Sequence, residues 1–553
     1  MSDASIGTAG GQRSGWLDRD RTIAGPGFNR WLVPPAALAI HLCIGMAYGF
    51  SVFWLPLSHA LTGASATECT NISLLNALAT TSCNWPVKDL VWVFTLAIVV
   101  LGFSAALWGG WLEREGPRKA GFVAAVCWGG GFAVSALGIY VHQLWLLWLG
   151  SGLIGGIGLG LGYISPVSTL IKWFPDRRGM ATGMAIMGFG GGALIGAPLA
   201  DLLINHFKAP GAAGVWQTFV TLGIIYFIFM MGGAFGYRLP PSSRWRPEGW
   251  QPPATKVATM ITPHVVRLND AHKTPQFWLI WVVLCMNVSA GIGVLAMASP
   301  MLQEIFGGAL IGHPGLHRSD LDDSQIKAIA SIAAGFTGLL SLFNIVGRFF
   351  WASLSDRIGR KATYSCFFAL GIALYSLSPW AARSGDQMLF IAFFGVILSM
   401  YGGGFATVPA YLADMFGTEF VGAIHGRLLT AWSVAGVVGP ILVSYLRDAQ
   451  IHAGVAADRV YDYTLYILAG LLLIGLICNL LIRPVAAKWY MSEEALAEYQ
   501  ARVRHVAERS VAGSFGIGRG RLDLRTLLIW LIVVLPILWG VWVTLKKVMV
   551  LIH

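Results

Sequence analysis

Glu113-Arg114-Glu115-Gly116-Pro117-Arg118-Lys119 and, 243 residues after Glu113, Asp356-Arg357-Ile358-Gly359-Arg360-Lys361 are two versions of one string: acid, base, glycine, base. Each is short and charged, and each sits between long apolar runs. The spacing recurs away from these loops. Pro166 and Pro409, like Gly183 and Gly426, are 243 residues apart; Phe174 and Phe416, like Pro198 and Pro440, are 242 apart. Several landmarks sharing one offset read as duplication of one unit. The first copy holds apolar runs near 31–55, 88–111, 120–140, 145–171, 179–204 and 215–237. The second holds runs near 276–304, 326–353, 361–380, 387–413, 420–446 and 461–483, and a thirteenth lies near 526–545. About twenty apolar residues cross a hydrocarbon core of ~30 Å. There each segment must pair its own backbone groups, so the runs are expected to be helices. The expected class is all-α integral membrane: two pseudo-symmetric six-helix bundles plus an extra C-terminal transmembrane helix. Repeated halves with a site between them at mid-membrane are the architecture of many secondary transporters.

Only 12% of the 553 residues are charged, against roughly 25% in soluble domains, and mean hydropathy is +0.65. So apolar a chain cannot be folded away into the soluble domains its length alone would suggest. With the N-terminus inside, 28 of the 38 Lys and Arg residues fall in inner segments, the bias of a cytoplasmic face. The net charge of +11 is then mostly topology, and its spread over several short loops argues against nucleic acid as a partner. The first 28 residues are polar and lack a signal-peptide core. The expected setting is a bacterial inner membrane, with the N-terminus cytoplasmic and the C-terminus periplasmic. The chain divides into a cytoplasmic N-terminal segment (1–30), a first bundle (31–237), a proline-rich basic linker (238–275), a second bundle (276–483), a basic tail (484–525) and the extra helix (526–553). A monomer is the expected state. Cys69 and Cys83 share the outer loop after span one; a disulfide there suits a periplasm, and two free thiols are the alternative.

One charge stands inside a span. Arg348 precedes Asp356 by eight residues, which at ~1.5 Å per residue puts it about 12 Å inside the loop. A charge there costs at least ~2.5 kcal/mol and usually faces a cavity on a pathway. No Asp or Glu occupies the middle of any run: Asp89, Asp201, Glu304 and Asp414 all lie near ends. A carboxylate substrate is the candidate counter-ion, its two oxygens matching the guanidinium fork. Snorkelling to the inner surface, or bonding to helix-end carbonyls, is the alternative. Tyr48, Tyr163, Tyr401, Phe405 and Trp432 are the aromatics expected around such a site, where tyrosine hydroxyls bond a carboxylate and rings exclude water; helix packing is the alternative for each. His41, the one histidine read as mid-span, is a candidate proton site or a packing residue. Glycines crowd spans four and five, from Gly150 to Gly162 and from Gly183 to Gly196. They permit close approach, either as static packing or as a sliding surface.

The two acid–glycine–base loops resemble the signature that the major facilitator superfamily carries after its second span, and its copy after the eighth. The resemblance implies that fold. It also implies that Glu113, Arg114, Gly116 and Arg118, with Asp356, Arg357, Gly359 and Arg360, clamp helix ends at a cytoplasmic gate. The first copy departs in having Glu113 for the usual Asp and an inserted Pro117. Tyr48–Pro56 (YGFSVFWLP), Gly158–Gly183 (GLGLGYISPVSTLIKWFPDRRGMATG), Asn344–Arg348 and the stretch from Gly426 to Pro440 resemble the oxalate/formate antiporter family within that superfamily. This implies exchange or symport of small carboxylates, with Arg348 on the substrate. Where the oxalate exchanger has a lysine in span eleven, this chain has Trp432. One cation suits one carboxylate, so a monocarboxylate such as formate, lactate or pyruvate is expected, with an oxalate/formate-type exchanger as the alternative. Leu524–Leu551 resembles the separate single-span small subunits found with some transporters of this type.

Two other classes compete. A membrane sensor of carboxylates would need an output module, and residues 484–525 are short for one. A membrane enzyme would need a nucleophile–base set, a metal cluster or paired carboxylates at membrane depth, and no such pattern is legible. No cofactor, no metal and no P-loop is expected.

Overall fold

The computed structural model describes residues 15–25, 27–58, 60–61, 74–85, 87–209, 213–241, 245–247, 261–313, 316, 321–507 and 524–548. Cys69, Pro252 and Pro253 of the linker, and 508–523 of the tail lie outside them. Thirteen helices among the described residues are long and apolar enough to cross a membrane. In the first half they are span one, Arg30–Phe50; span two, Trp92–Glu115; span three, Pro117–Tyr140; span four, Leu144–Trp173; span five, Arg178–Phe207; and span six, Val215–Gly236. In the second half they are span seven, Pro275–Ala298; span eight, Gly335–Ile358; span nine, Arg360–Arg383; span ten, Gln387–Phe416; span eleven, Val421–His452; and span twelve, Asp462–Leu481. Span thirteen is Leu524–Val543.

The repeat seen in sequence is a repeat of structure. Span two ends at Glu115 and span eight at Ile358; span five begins at Arg178 and span eleven at Val421. Both pairs are 243 residues apart. Packing repeats as well: span three lies on span six as span nine lies on span twelve, and span one on span five as span seven on span eleven. At each short charged loop the chain reverses through a single glycine with positive φ, Gly116 at 93° and Gly359 at 88°. A side chain would be strained there. These two loops mark one face of the molecule, the motif face.

The halves meet along two seams of small residues. In one, span five packs on spans eight and ten; a Cβ at Gly183 would stand 2.9 Å from the Arg348 carbonyl. In the other, span two packs on span eleven, and a Cβ at Gly109 would stand 2.8 Å from Ala423 Cα. Bare backbone at these glycines lets the helices touch. Span thirteen lies on the outside of the first seam, against spans five and eight. Trp530 Nε1 donates to the Trp31 carbonyl (3.0 Å) and Asn29 Nδ2 to Thr526 Oγ1 (3.1 Å), while Gly540 seats on Leu194. On the face opposite the motif loops, Cys83 is disulfide-bonded; the other five cysteines among the described residues lie within spans and are free.

Candidate functional site

Arg348 is wholly buried where span eight crosses spans five and ten. Two glycines make its room: a Cβ at Gly190 would lie 3.2 Å from its Nε, and one at Gly402 3.1 Å from its Cγ. Nε donates to Asn344 Oδ1 one turn away (2.7 Å), and Nη1 donates to the Ile186 carbonyl (3.1 Å). Nη2 is buried without a well-formed hydrogen bond, although the guanidinium interacts with the Tyr48 and Tyr163 hydroxyls. None of the ion pairs among the described residues includes Arg348. The guanidinium lies between two rings, Phe405 at 5.5 Å and Phe189 at 5.8 Å. A cation over an aromatic face gains ~0.5–2 kcal/mol. An unpaired buried donor costs ~1–3 kcal/mol, more when charged. The rings therefore do not replace a missing anion.

The aromatics expected around the site do gather there. Trp432 meets Phe405 (4.5 Å), Tyr163 and Phe189 (both 5.3 Å) and Tyr48 (6.2 Å). Tyr401 packs on Phe405 (5.4 Å), and its hydroxyl lies 3.0 Å from that of Tyr48. Tyr48 sits in the tighter 3₁₀ stretch Gly45–Phe53 of span one. The Tyr163 hydroxyl and the Trp432 ring N–H are buried without a well-formed hydrogen bond, like Arg348 Nη2. Spans one, four, five, eight, ten and eleven thus bring one cation and three such donors to one place. Arg348, Tyr163, Tyr401, Phe405 and Trp432 are each 0–1% exposed, so the centre is sealed from solvent. A recess of about 510 Å³ lies elsewhere, on the flank lined by Met187, Phe349 and Arg357.

His41 ties helices together. Its Nδ1 lies 2.5 Å from the Ala185 carbonyl and its Nε2 3.2 Å from that of Tyr163, joining span one to spans five and four. Two residues at the centre escape the sequence reading. Phe189 sits within Gly188-Phe-Gly-Gly-Gly192, a string that reads as a packing surface. His425 is wholly buried four residues into span eleven, its ring 5.9 Å from that of Tyr163, and neither ring nitrogen has a partner. The 243-residue offset is the available signal for it, since it already pairs the next residue, Gly426, with Gly183.

At the motif face the second loop bridges the halves. The Asp356 carboxylate accepts from the Gly179 and Met180 amides (2.9 and 3.0 Å) at the start of span five, where the helix dipole favours an anion. Arg360 pairs with Asp356 (2.6 Å) and Asp414 (3.0 Å), and Asp414 pairs across the seam with Arg178 (3.0 Å). The first loop stays largely within its half. Glu113 accepts from Ser168 Oγ (2.9 Å) and Lys172 Nζ (2.5 Å) of span four, and Arg118 donates to the Trp16 carbonyl (3.0 Å). Glu113 still reaches the seam, since a Cβ on Gly422 would collide with its carboxylate. Arg114 and Arg357 are exposed. Glu419, between spans ten and eleven, has its pKa raised above the ordinary carboxylate value by burial, with Lys172 working against the shift.

The model of the Major Facilitator Superfamily matches residues 39–341 and 288–552. The chain is 28% identical over 362 residues to the oxalate:formate antiporter of Oxalobacter formigenes, covering 64% of this chain and 77% of that protein. It is 31% identical over 370 residues to human monocarboxylate transporter 11, covering 65% and 69%. In structure it is similar to a proton:xylose symporter, with a TM-score of 0.52 at 16% identity over 81% of this chain and 94% of that one; this likeness speaks for the fold alone. The chain belongs to the major facilitator superfamily of multi-pass membrane transporters.

Proposed function

We propose that the chain is a secondary transporter of small monocarboxylates such as formate, lactate or pyruvate, working by alternating access, with Arg348 as the anion contact. One observation carries the reading: a buried guanidinium with no well-formed hydrogen bond at Nη2 and no carboxylate partner among the described residues. A carboxylate oxygen would satisfy Nη2, and the Tyr163 hydroxyl would donate to the same anion. Trp432 adds a ring N–H but no second positive charge, which favours one carboxylate over two. The similarity to a protein named as an oxalate:formate antiporter and to one named as a monocarboxylate transporter supports the substrate class. In this reading the motif face is cytoplasmic in a bacterial inner membrane. The loops at Glu113 and Asp356 hold it closed, and the odd number of spans puts the two termini on opposite sides.

The test is uptake of labelled formate, lactate, pyruvate and oxalate by purified protein in liposomes. Losing a charged hydrogen bond costs ~1.5–3 kcal/mol, so Arg348→Gln should lower monocarboxylate uptake about ten- to hundredfold while remaining monodisperse. Normal transport by Arg348→Gln would remove the reading.

A further inference from the structure

Position 425 has a counterpart in the first half. Thr182 lies 243 residues earlier, and each is the fifth residue of its span, counted from Arg178 and from Val421. The Thr182 hydroxyl reaches across the seam to the Ala406 carbonyl of span ten at 2.7 Å. Ala406 is in turn the counterpart of Tyr163, again 243 residues on. One of two symmetry-related contacts is therefore closed by a hydrogen bond. In the other, a histidine ring faces Tyr163 with both nitrogens unpaired and the tyrosine hydroxyl without a well-formed hydrogen bond. A buried polar ring without a partner is costly and is kept where it does something.

The surrounding charges explain what it could do. His41 of span one faces His425 electrostatically, but both its nitrogens lie against backbone carbonyls. On span two, Glu113 is paired with Lys172 of span four, and Arg114 and Glu115 lie at the motif-face end of the same helix. On span ten, Asp414 is held by Arg178 and Arg360, and Tyr411 carries an unpaired hydroxyl. Beyond the end of span ten is Glu419, and on the short helix Leu268–Ala271 is Asp270, paired with Lys273. On span eleven itself, Arg427 donates to Leu268, His272 and Asn269. All of these carboxylates except Glu419 are paired with a base, and Glu419 lies beyond the end of span ten, six residues before His425. The ring also lies behind a door: Gly426, the next residue, packs so closely that a Cβ would collide with the Ala105 carbonyl of span two. Parting that seam is what would admit motif-face water.

We propose that His425 is the proton-carrying residue of the transport cycle. It takes up or gives off a proton when the seam between spans two and eleven opens. One anion then moves with one proton. The proposal rests on the carboxylate-transport reading above. Histidine suits the task because its ring gains or loses a proton near neutral pH.

The experiment uses the full chain in liposomes, with labelled lactate and an internal pH dye. Wild type should accumulate lactate down an inward proton gradient and acidify the lumen as it does so. In His425→Gln, gradient-driven accumulation should fall at least about tenfold, within the usual range of coupling factors, and the dye signal should vanish with it. Lactate–lactate exchange should persist, since Arg348 is untouched. His425→Thr, which restores the residue type of the first half, serves if the glutamine variant does not fold. Accumulation and dye response retained in either variant would overturn the proposal. So would wild type that exchanges lactate but ignores the proton gradient. Wild type that moves no carboxylate at all would instead remove the reading on which the proposal rests.

Discussion

At the scale of the residue, the centre of the molecule is an argument about one charge and its neighbours. Arg348 was legible in the sequence because a guanidinium inside an apolar run is conspicuous. The aromatics were legible as types at suitable depths. Phe189 and His425 were not, because what distinguishes them is an environment: a cation over one ring, two empty nitrogens on the other. Trp432 offers the sharpest residue-scale test of selectivity. It is wholly buried against Phe405, Tyr163 and Phe189. A lysine there would add a second cation near Arg348, and a dianion would then be better matched than a monoanion. In Trp432→Lys, oxalate should compete with labelled formate at least about tenfold better than in wild type, roughly 1.4 kcal/mol of discrimination. Trp432→Met empties similar space without adding charge and should gain no oxalate affinity. If both variants behave alike, charge count does not set the choice between one carboxylate and two.

At the scale of the element, the order of the spans and most of their ends, to about six residues, were legible because hydropathy and loop charge act locally; span eight, expected near 326–353, is Gly335–Ile358. What happens inside and between them was not. Span one tightens into a 3₁₀ stretch at Gly45–Phe53, and span eleven breaks at Leu429 between two helical pieces; neither leaves a mark on apolar periodicity. Span thirteen is apolar on all sides, so its docking against spans five and eight could not be read from a pattern. The outer turn between spans three and four is similar. His142 has positive φ (51°), stacks flat on Trp85 (4.1 Å, 3°) and donates from Nε2 to the Cys83 carbonyl (2.8 Å). This clasp joins the turn to the disulfide-bonded segment between spans one and two. Burial lowers the His142 pKa below its ordinary value. The unfolded chain then binds the proton more readily than the folded one, so stability rises with pH across this window. The clasp should be intact above pH ~6.5, the ordinary histidine value, and loosen as pH falls below it. Thermal melts in detergent from about pH 7.5 down to about pH 5 should show a declining Tm, and His142→Phe, which keeps a ring on Trp85, should flatten that decline. An unchanged slope in the variant would assign the acid sensitivity elsewhere.

At the scale of the whole molecule, the repeat was visible as an offset, but the sequence did not say which state the halves would occupy. Here the motif face is closed: Asp356 caps the start of span five, Asp414 joins Arg178 to Arg360, and glycines bring backbone onto backbone along both seams. Two kinds of glycine can be told apart by what they touch. Gly475 packs within the second half, where a Cβ would collide with the Phe368 ring. Gly426 packs between halves, against the Ala105 backbone, which has no flexible side chain to move aside. Overpacking costs typically ~1–3 kcal/mol wherever it occurs, but its consequence should differ. Gly475→Val strains one bundle in every state and should lower Tm without exposing the seam. Gly426→Val penalises only the state in which spans two and eleven touch, and ~1–3 kcal/mol displaces a two-state equilibrium by roughly five- to 150-fold. Hydrogen–deuterium exchange should therefore quicken in peptides covering 102–109 and 421–428 of Gly426→Val, with little change in spans three, six, nine and twelve, and lactate transport should slow because one of the two alternating states has become scarce. Uniformly faster exchange in both variants would mean that the seam is ordinary core packing and that the halves do not part there.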